Sequence, residues 1–276
     1  MYYKWHENAA FFIYLIGDYM NFKVGDIVTR ISYNNDIIFK ILDINKNKVT
    51  LKGLEVRLLA DADILDLKKV EEEIKEEVIE ERSDIEIDSD FFYLPGKVLH
   101  IDGDEEYLEK CLKYYKSKKI YAIGKKVKEK DIASQLEELL KYYNPDILII
   151  TGHDAFIKKK GNKFDNNNYK NTNNFINAIK VARNYEKSHE KLIIIAGACQ
   201  SNYEALIKAG ANFASSPKRV NIHALDPAII ASYLSLFEKN KEINLKELLS
   251  KTKYGSDGMG GIICTGTMYV GYPRWI

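Results

Sequence analysis

From residue 97 onward the sequence alternates short apolar runs with amphipathic segments, and this pattern constrains the fold more than any other feature of the chain. Runs rich in Ile, Leu, Val and Ala predict five strands, at 97–101, 119–123, 146–151, 191–196 and 211–215. Segments with the apolar spacing of helices follow, at 105–117, 131–143, 173–186, 202–209 and 226–237. Apolar strands joined by helical crossovers predict an α/β domain in which helices cover both faces of a parallel sheet.

The end of this domain carries two local signals. Asp226 and Pro227 suit the N-cap and the first position of the helix at 226–237. From Gly255 the sequence is rich in glycine and then resembles a strand, which predicts a loop leading to a terminal β-segment.

We place this α/β domain at residues 92–276. The part of the chain that precedes it divides into three segments. Residues 1–19 are expected to lie outside the fold, because their apolar run is too short to span a membrane and lacks a signal-peptide cleavage site. Residues 20–66 alternate β-branched stretches with polar turns, which predicts a small antiparallel, SH3-like β-domain. Residues 67–91 are rich in acidic residues with helical apolar spacing, which predicts an acidic helical linker.

Charge and cysteine content narrow the functional class. The 276 residues carry 41 Lys and Arg against 40 Asp and Glu, so the net charge of +1 argues against a nucleic-acid partner. The absence of any long apolar run argues against a membrane partner. Three cysteines without CxxC or Cys/His spacing predict no zinc site and no disulfide framework, and we expect no metal or cofactor. A reducing, intracellular setting fits this composition.

Two of the predicted strands end in reactive side chains. The segment DILIITGHDA delivers His153 just beyond its strand, and KLIIIAGACQS delivers Cys199 in the same way. Neighbouring parallel strands lie ~4.8 Å apart, so both side chains would emerge on one edge of the sheet. A nearby imidazole can take the proton of a thiol and later protonate a leaving amine. The pattern therefore predicts a Cys199/His153 catalytic dyad.

Backbone amides near these two residues would complete such a site. We expect the N–H of Cys199, with that of Gly152 or Asp154 beside His153, to form an oxyanion hole. The helix predicted at 202–209 would favour the thiolate through its N-terminus.

The other cysteines and histidines are alternatives. Cys111 lies within an amphipathic helix and Cys264 has no adjacent histidine, so both are predicted to be packed residues. His100 lies inside the first strand and is predicted to be buried there. His223 follows the fifth strand and remains a competitor for the role of base.

The order and spacing of the two residues resemble those of caspase-like cysteine peptidases. His153 precedes Cys199 by 46 residues, and caspases place their histidine about 50 residues ahead of the nucleophile. GACQS also resembles the caspase segment QACRG. Caspases have a glycine directly after the histidine where this chain has Asp154, so the amide that completes the oxyanion hole stays open.

Several long motifs resemble one known family in the same order, among them LKGLEVRLLADA, PDILIITGHDA, IIIAGACQSNYEA and AGANFASSPKRVNIHALDP. They are similar to the YabG family of sporulation-specific peptidases of endospore-forming bacteria, over about residues 20–273. The resemblance implies a cysteine peptidase that acts on spore-coat and related spore proteins in the sporulating cell, in the mother-cell cytoplasm or the spore coat. It also implies that the family's His and Cys positions fall on His153 and Cys199.

Two carboxylates follow the first strand of the sheet. In caspase-like peptidases the corresponding loop helps to bind the residue before the scissile bond, so Asp102 or Asp104 is predicted to form an anionic pocket for Arg or Lys. The alternative is that Asp104 caps the helix that follows.

Two further functions remain open from the sequence. One is a non-catalytic, flavodoxin-like scaffold module in spore-coat assembly. The other is a glutamine-amidotransferase-like hydrolase, which the order of His before Cys disfavours.

Overall fold

The structure is a computed structural model, and it describes residues 22–70, 90–157 and 161–274. The chain separates into two compact units, Met1–Glu76 and Glu77–Ile276, and each is considered by itself. The predicted extension at 1–19 and most of the predicted acidic linker lie outside the described residues.

The first unit contains a five-stranded antiparallel sheet in the order β4-β3-β2-β1-β5. The strands are β1 Ile27–Arg30, β2 Phe39–Asn45, β3 Lys48–Gly53, β4 Leu59–Asp63 and β5 Leu67–Lys69. Alternate apolar side chains form the core, namely Val28, Phe39, Ile41, Val49, Leu51 and Leu67. The predicted antiparallel sheet is confirmed, and it extends past residue 66 into the start of the predicted linker.

The second unit is built on a six-stranded sheet in the order β12-β11-β10-β9-β7-β8. Its strands are β7 Val98–Asp102, β8 Ala122–Lys126, β9 Ile147–Thr151, β10 Ile193–Ala196, β11 Phe213–Ser215 and β12 Met259–Gly261. The first five are parallel, as predicted, and β12 runs antiparallel to β11. A separate two-stranded sheet pairs β6 Phe92–Leu94 with β13 Tyr269–Gly271.

Helices cover both faces of the six-stranded sheet. They are α1 Glu105–Ser117, α2 Ile132–Tyr143, α3 Thr172–Tyr185, α4 Tyr203–Ala209, α5 Asp226–Leu236, α6 Leu245–Ser250 and α7 Gly255–Gly258. Helices α2, α3 and α4 share one apolar core with the sheet, which includes Leu136, Phe175 and Leu206. Helices α1 and α5 pack on β7, β8, β9 and β10 and on each other. The predicted α/β architecture is therefore confirmed.

Three local predictions were wrong. The second strand starts at Ala122 because Lys119, in a left-handed conformation (φ +57°), extends the turn after α1. Leu225 occupies the cap position of α5, and Asp226 is its first helical residue. The Asp226 carboxylate accepts from the N–H groups of His223 and Lys253, both at 2.9 Å. The loop predicted from Gly255 is instead a helical turn, and the β-segment predicted after it is present as β12.

Candidate active site

The carboxyl ends of β7, β9 and β10 define the site. The chain leaves β7 toward β8 on one side and leaves β9 toward β10 on the other, so the strand order reverses between β7 and β9. Loops at such a reversal diverge and leave a crevice, which is where open α/β sheets bind their ligands. Asp104 follows β7 there, and His153 follows β9.

His153 is held by a carboxylate on one side of its ring. Its Nε2 lies 2.9 Å from Asp104 Oδ2, and only 14% of the His153 side chain is exposed. The Tyr107 ring packs nearby, at 5.8 Å between ring centroids. The second ring nitrogen, Nδ1, is buried and has no hydrogen-bond partner among the described residues. The imidazole is thus oriented through one nitrogen.

The backbone of His153 is held as well. Its N–H donates to Glu129 Oε1 at 2.8 Å, and its carbonyl accepts from Asn171 Nδ2 at 2.7 Å. Glu129 fits because two glycines leave room for it: a Cβ added at Gly103 or Gly152 would lie 2.4 Å from its Oε1. Sequence reasoning missed Glu129. The glycines that follow β7 and β9 were the available signal.

Cys199 lies beyond β10 and is fully buried. Its Sγ accepts a hydrogen bond from the N–H of Ile222 at 3.2 Å. The next residue, Gln200, is left-handed (φ +59°), and its N–H donates to the Val220 carbonyl at 3.1 Å. This N–H favours the negatively charged thiolate, whereas burial of the sulfur acts in the opposite direction, and the Sγ also lies 3.9 Å from the Ile222 carbonyl, to which a thiol can donate. The strand end and the segment leading to His223 together fix the sulfur.

The loops after β9 and β10 are joined by hydrogen bonds. Thr151 Oγ1 donates to the Gly197 carbonyl at 2.9 Å, and Ser201 Oγ donates to Asp154 Oδ2 at 2.9 Å. The Phe156 N–H donates to the Gln200 side chain at 3.3 Å. The segment with His153 and the turn with Cys199 therefore form one connected structure.

Asp154 is the buried centre of this connection. Its Oδ1 accepts from the N–H groups of Ala155 at 2.9 Å and Asn171 at 2.7 Å. Its Oδ2 accepts from Thr172 Oγ1 at 2.5 Å as well as from Ser201. Burial raises the pKa of the Asp154 carboxyl, and these hydrogen bonds act in the opposite direction.

The carboxylates predicted to form a substrate pocket have structural partners. Asp102 is fully buried, with Oδ2 at 3.6 Å from His100 Nε2, and its Oδ1 accepts from the Asp104 N–H at 2.9 Å. Asp104 is the N-cap of α1, as the alternative reading proposed, and accepts from the Tyr107 N–H at 3.3 Å. The side chain of Asp104 is 11% exposed. His100 is buried, as predicted.

The histidine and the two cysteines that are alternatives to His153 and Cys199 each have their own hydrogen bonds or burial. His223 directly follows Ile222, and its Nδ1 accepts from the Leu225 N–H at 3.2 Å, so its neutral form carries the proton on Nε2. Cys111 is buried in α1, and its thiol donates to the Ala224 carbonyl at 3.4 Å. Burial raises the pKa of Cys264 to about 12, so this thiol is a poor nucleophile near neutral pH.

Within residues 22–70, 90–157 and 161–274, no three His, Cys, Asp or Glu side chains cluster closely enough to hold a metal ion. No helix in those ranges combines the length and the apolar character that crossing a bilayer needs.

Fold and site together describe an α/β protein with a cysteine and a carboxylate-bound histidine at the carboxyl edge of a parallel sheet, a class that includes hydrolases. The chain belongs to the family described as YabG peptidase U57, which it matches over residues 23–86 and 73–273. It is 41% identical to the sporulation-specific protease YabG of Bacillus subtilis strain 168, over 92% of this chain and 99% of that protein. No solved structure matches the chain. The predicted family is thereby confirmed, and with it a peptidase.

Proposed function

We propose that this protein is a cysteine endopeptidase in which Cys199 is the nucleophile and His153 is the base. The main support is the register of the two strands that carry them. Ala196 of β10 pairs with Ile150 of β9, and each reactive residue follows its member of that pair by three positions. Two side chains at equal offsets on parallel strands ~4.8 Å apart emerge on the same edge of the sheet.

The proposed mechanism needs no group beyond the chain and water. The Cys199 sulfur attacks the peptide carbonyl while His153 takes the thiol proton, and that proton then goes to the leaving amine. Water hydrolyses the resulting thioester. The N–H of His153 already donates to Glu129, so the oxyanion amides in this proposal are those of Cys199 and of Gly152 or Asp154.

The finer fold assignment is part of the same proposal. A histidine followed by a cysteine, each after its own strand of a parallel sheet, supports a caspase-like domain at 92–276. The SH3-like assignment of the small β-domain is likewise supported by its five-stranded antiparallel sheet.

Spore-coat and related spore proteins in the sporulating cell are the proposed substrates. The name of the relative from B. subtilis supports the link to sporulation. A preference for Arg or Lys before the scissile bond stays a prediction from the sequence, because Asp102 is fully buried and Asp104 caps α1 and contacts His153. Profiling with a peptide library tests this preference, and equal cleavage after basic and neutral residues contradicts it.

Coat-protein cleavage by purified variants tests the dyad. Cys199→Ala and His153→Ala are expected to abolish cleavage, whereas Cys264→Ala, a matched change at another buried thiol, is expected to retain it. His223→Ala tests the competing base and is expected to remain active. Cleavage retained by both dyad variants contradicts the proposal. A wild-type protein that binds coat proteins without cutting them favours the scaffold alternative.

A further inference from the structure

We infer that Asp104 is a positioning residue that selects which nitrogen of His153 acts as the base. This inference rests on the proposed function and differs from the substrate-pocket role predicted for Asp104 from the sequence. The two side chains meet at 2.9 Å between Oδ2 and Nε2. An ionised carboxylate can only accept hydrogen bonds, so this contact keeps the proton of the neutral imidazole on Nε2.

The other nitrogen of His153 is then the one with a lone pair. Nδ1 is buried and has no hydrogen-bond partner among the described residues. A nitrogen already engaged by a donor would have to lose that donor before taking a proton, and Nδ1 has none to lose. Asp104 therefore directs the lone pair to Nδ1.

The position of Asp104 is itself fixed. Its N–H donates to Asp102 Oδ1 at 2.9 Å, and its Oδ1 accepts from the Tyr107 N–H at 3.3 Å as the cap of α1. Rotation of the carboxylate would break the cap as well as the contact with His153. The residue that caps α1 therefore also orients the His153 ring.

The proposed step balances its protons. The thiol proton of Cys199 moves to Nδ1, which leaves a thiolate and an imidazolium whose Nε2–H faces the ionised Asp104. When the C–N bond of the substrate breaks, that proton passes from Nδ1 to the amine nitrogen. Asp104 gains no proton at any stage, and it stabilises the imidazolium through a charge-assisted hydrogen bond.

Asp104→Asn is the most selective test. The amide oxygen would remain the acceptor for Tyr107, and asparagine is a good N-cap, so α1 should be preserved. The NH₂ group would then face Nε2 and move the imidazole proton to Nδ1. We expect kcat to fall by about 10²–10⁴-fold, the usual contribution of a general base, with KM and Tm little changed.

Two further variants separate the possible outcomes. Asp104→Ser keeps a capping oxygen but is too short to hold the ring, and it should lose kcat similarly. Asp63→Asn changes another Asp cap, in the β-domain, and should leave kcat unchanged. Retention of full kcat by Asp104→Asn overturns the inference. If KM is raised while kcat is retained, the result supports a substrate pocket at Asp104 instead.

The tautomer can be read without any cleavage assay. In the Cys199→Ala background, ¹⁵N chemical shifts of the His153 ring, followed across pH until the ring is seen to lose its charge, report which nitrogen keeps the proton. We expect the proton on Nε2 while Asp104 is present and on Nδ1 after the Asp104→Asn substitution. The same tautomer in both proteins overturns the inference, whereas cleavage retained by Cys199→Ala and His153→Ala would refute the proposed function separately.

Discussion

At the scale of single residues, the site depends on how His153 is held rather than on His153 alone. Asp104 fixes its ring, and Glu129 fixes its backbone N–H. These partners lie 49 and 24 residues away along the chain, so no local motif reveals them. Gly103 and Gly152 leave the space that the Glu129 carboxylate occupies, and a side chain at either position would displace that carboxylate.

Gly103→Ala tests the role of Glu129. The new Cβ would lie 2.4 Å from Glu129 Oε1, so the carboxylate must move and the His153 N–H loses its acceptor. We expect kcat to fall by about 10-fold, equivalent to about 1.4 kcal/mol. Peptide-cleavage kinetics measure this change.

A double-mutant cycle provides the control. Glu129→Gln keeps an oxygen acceptor and should remain close to wild type. Gly103→Ala and Glu129→Ala should be non-additive when combined, because both remove the same hydrogen bond. Full activity in Gly103→Ala, or simple additivity in the double variant, contradicts this role.

At the scale of elements, Asp154 ties the loop after β9 to the N-terminus of α3 and to the turn after β10. Its two oxygens accept hydrogen bonds from different groups: Oδ1 accepts from backbone N–H groups, and Oδ2 accepts from hydroxyls. Since hydroxyls can also accept, an asparagine can replace this carboxylate with much of the network kept.

The raised pKa of Asp154 predicts the sign of a pH effect on stability. A carboxyl whose pKa is higher in the folded state binds more protons when folded, so its contribution to stability falls as the pH rises through that range. We expect the wild-type Tm to improve, relative to that of Asp154→Asn, as the pH is lowered from neutral toward the raised pKa.

Thermal unfolding of both proteins across pH measures this effect. Asp154→Ala leaves the hydroxyls and N–H groups without their acceptor and should be less stable than Asp154→Asn by about 1–3 kcal/mol. A Tm difference between wild type and Asp154→Asn that does not depend on pH contradicts the assignment.

At the scale of the whole molecule, the parallel sheet and its helices could be predicted because apolar strands and amphipathic helices have distinct periods. The helix at Glu105–Ser117 matches its predicted bounds. Three of the five strands lie inside their predicted ranges, and a fourth, β7, ends one residue beyond its predicted range. The order of the strands could not be predicted in the same way, since it depends on packing between distant segments. The contacts of Asp104 and Glu129 with His153 depend on that order.

In the proposed reaction, the Cys199 sulfur attacks the substrate with His153 as base. The most direct measurement is intact mass and peptide mapping of the enzyme after reaction with a peptidyl chloromethyl ketone, which traps an active-site thiolate. We predict a single adduct on Cys199, none in Cys199→Ala, and a much slower reaction in His153→Ala. An adduct on Cys111 or Cys264 in the wild type, or an undiminished rate in His153→Ala, would contradict the account.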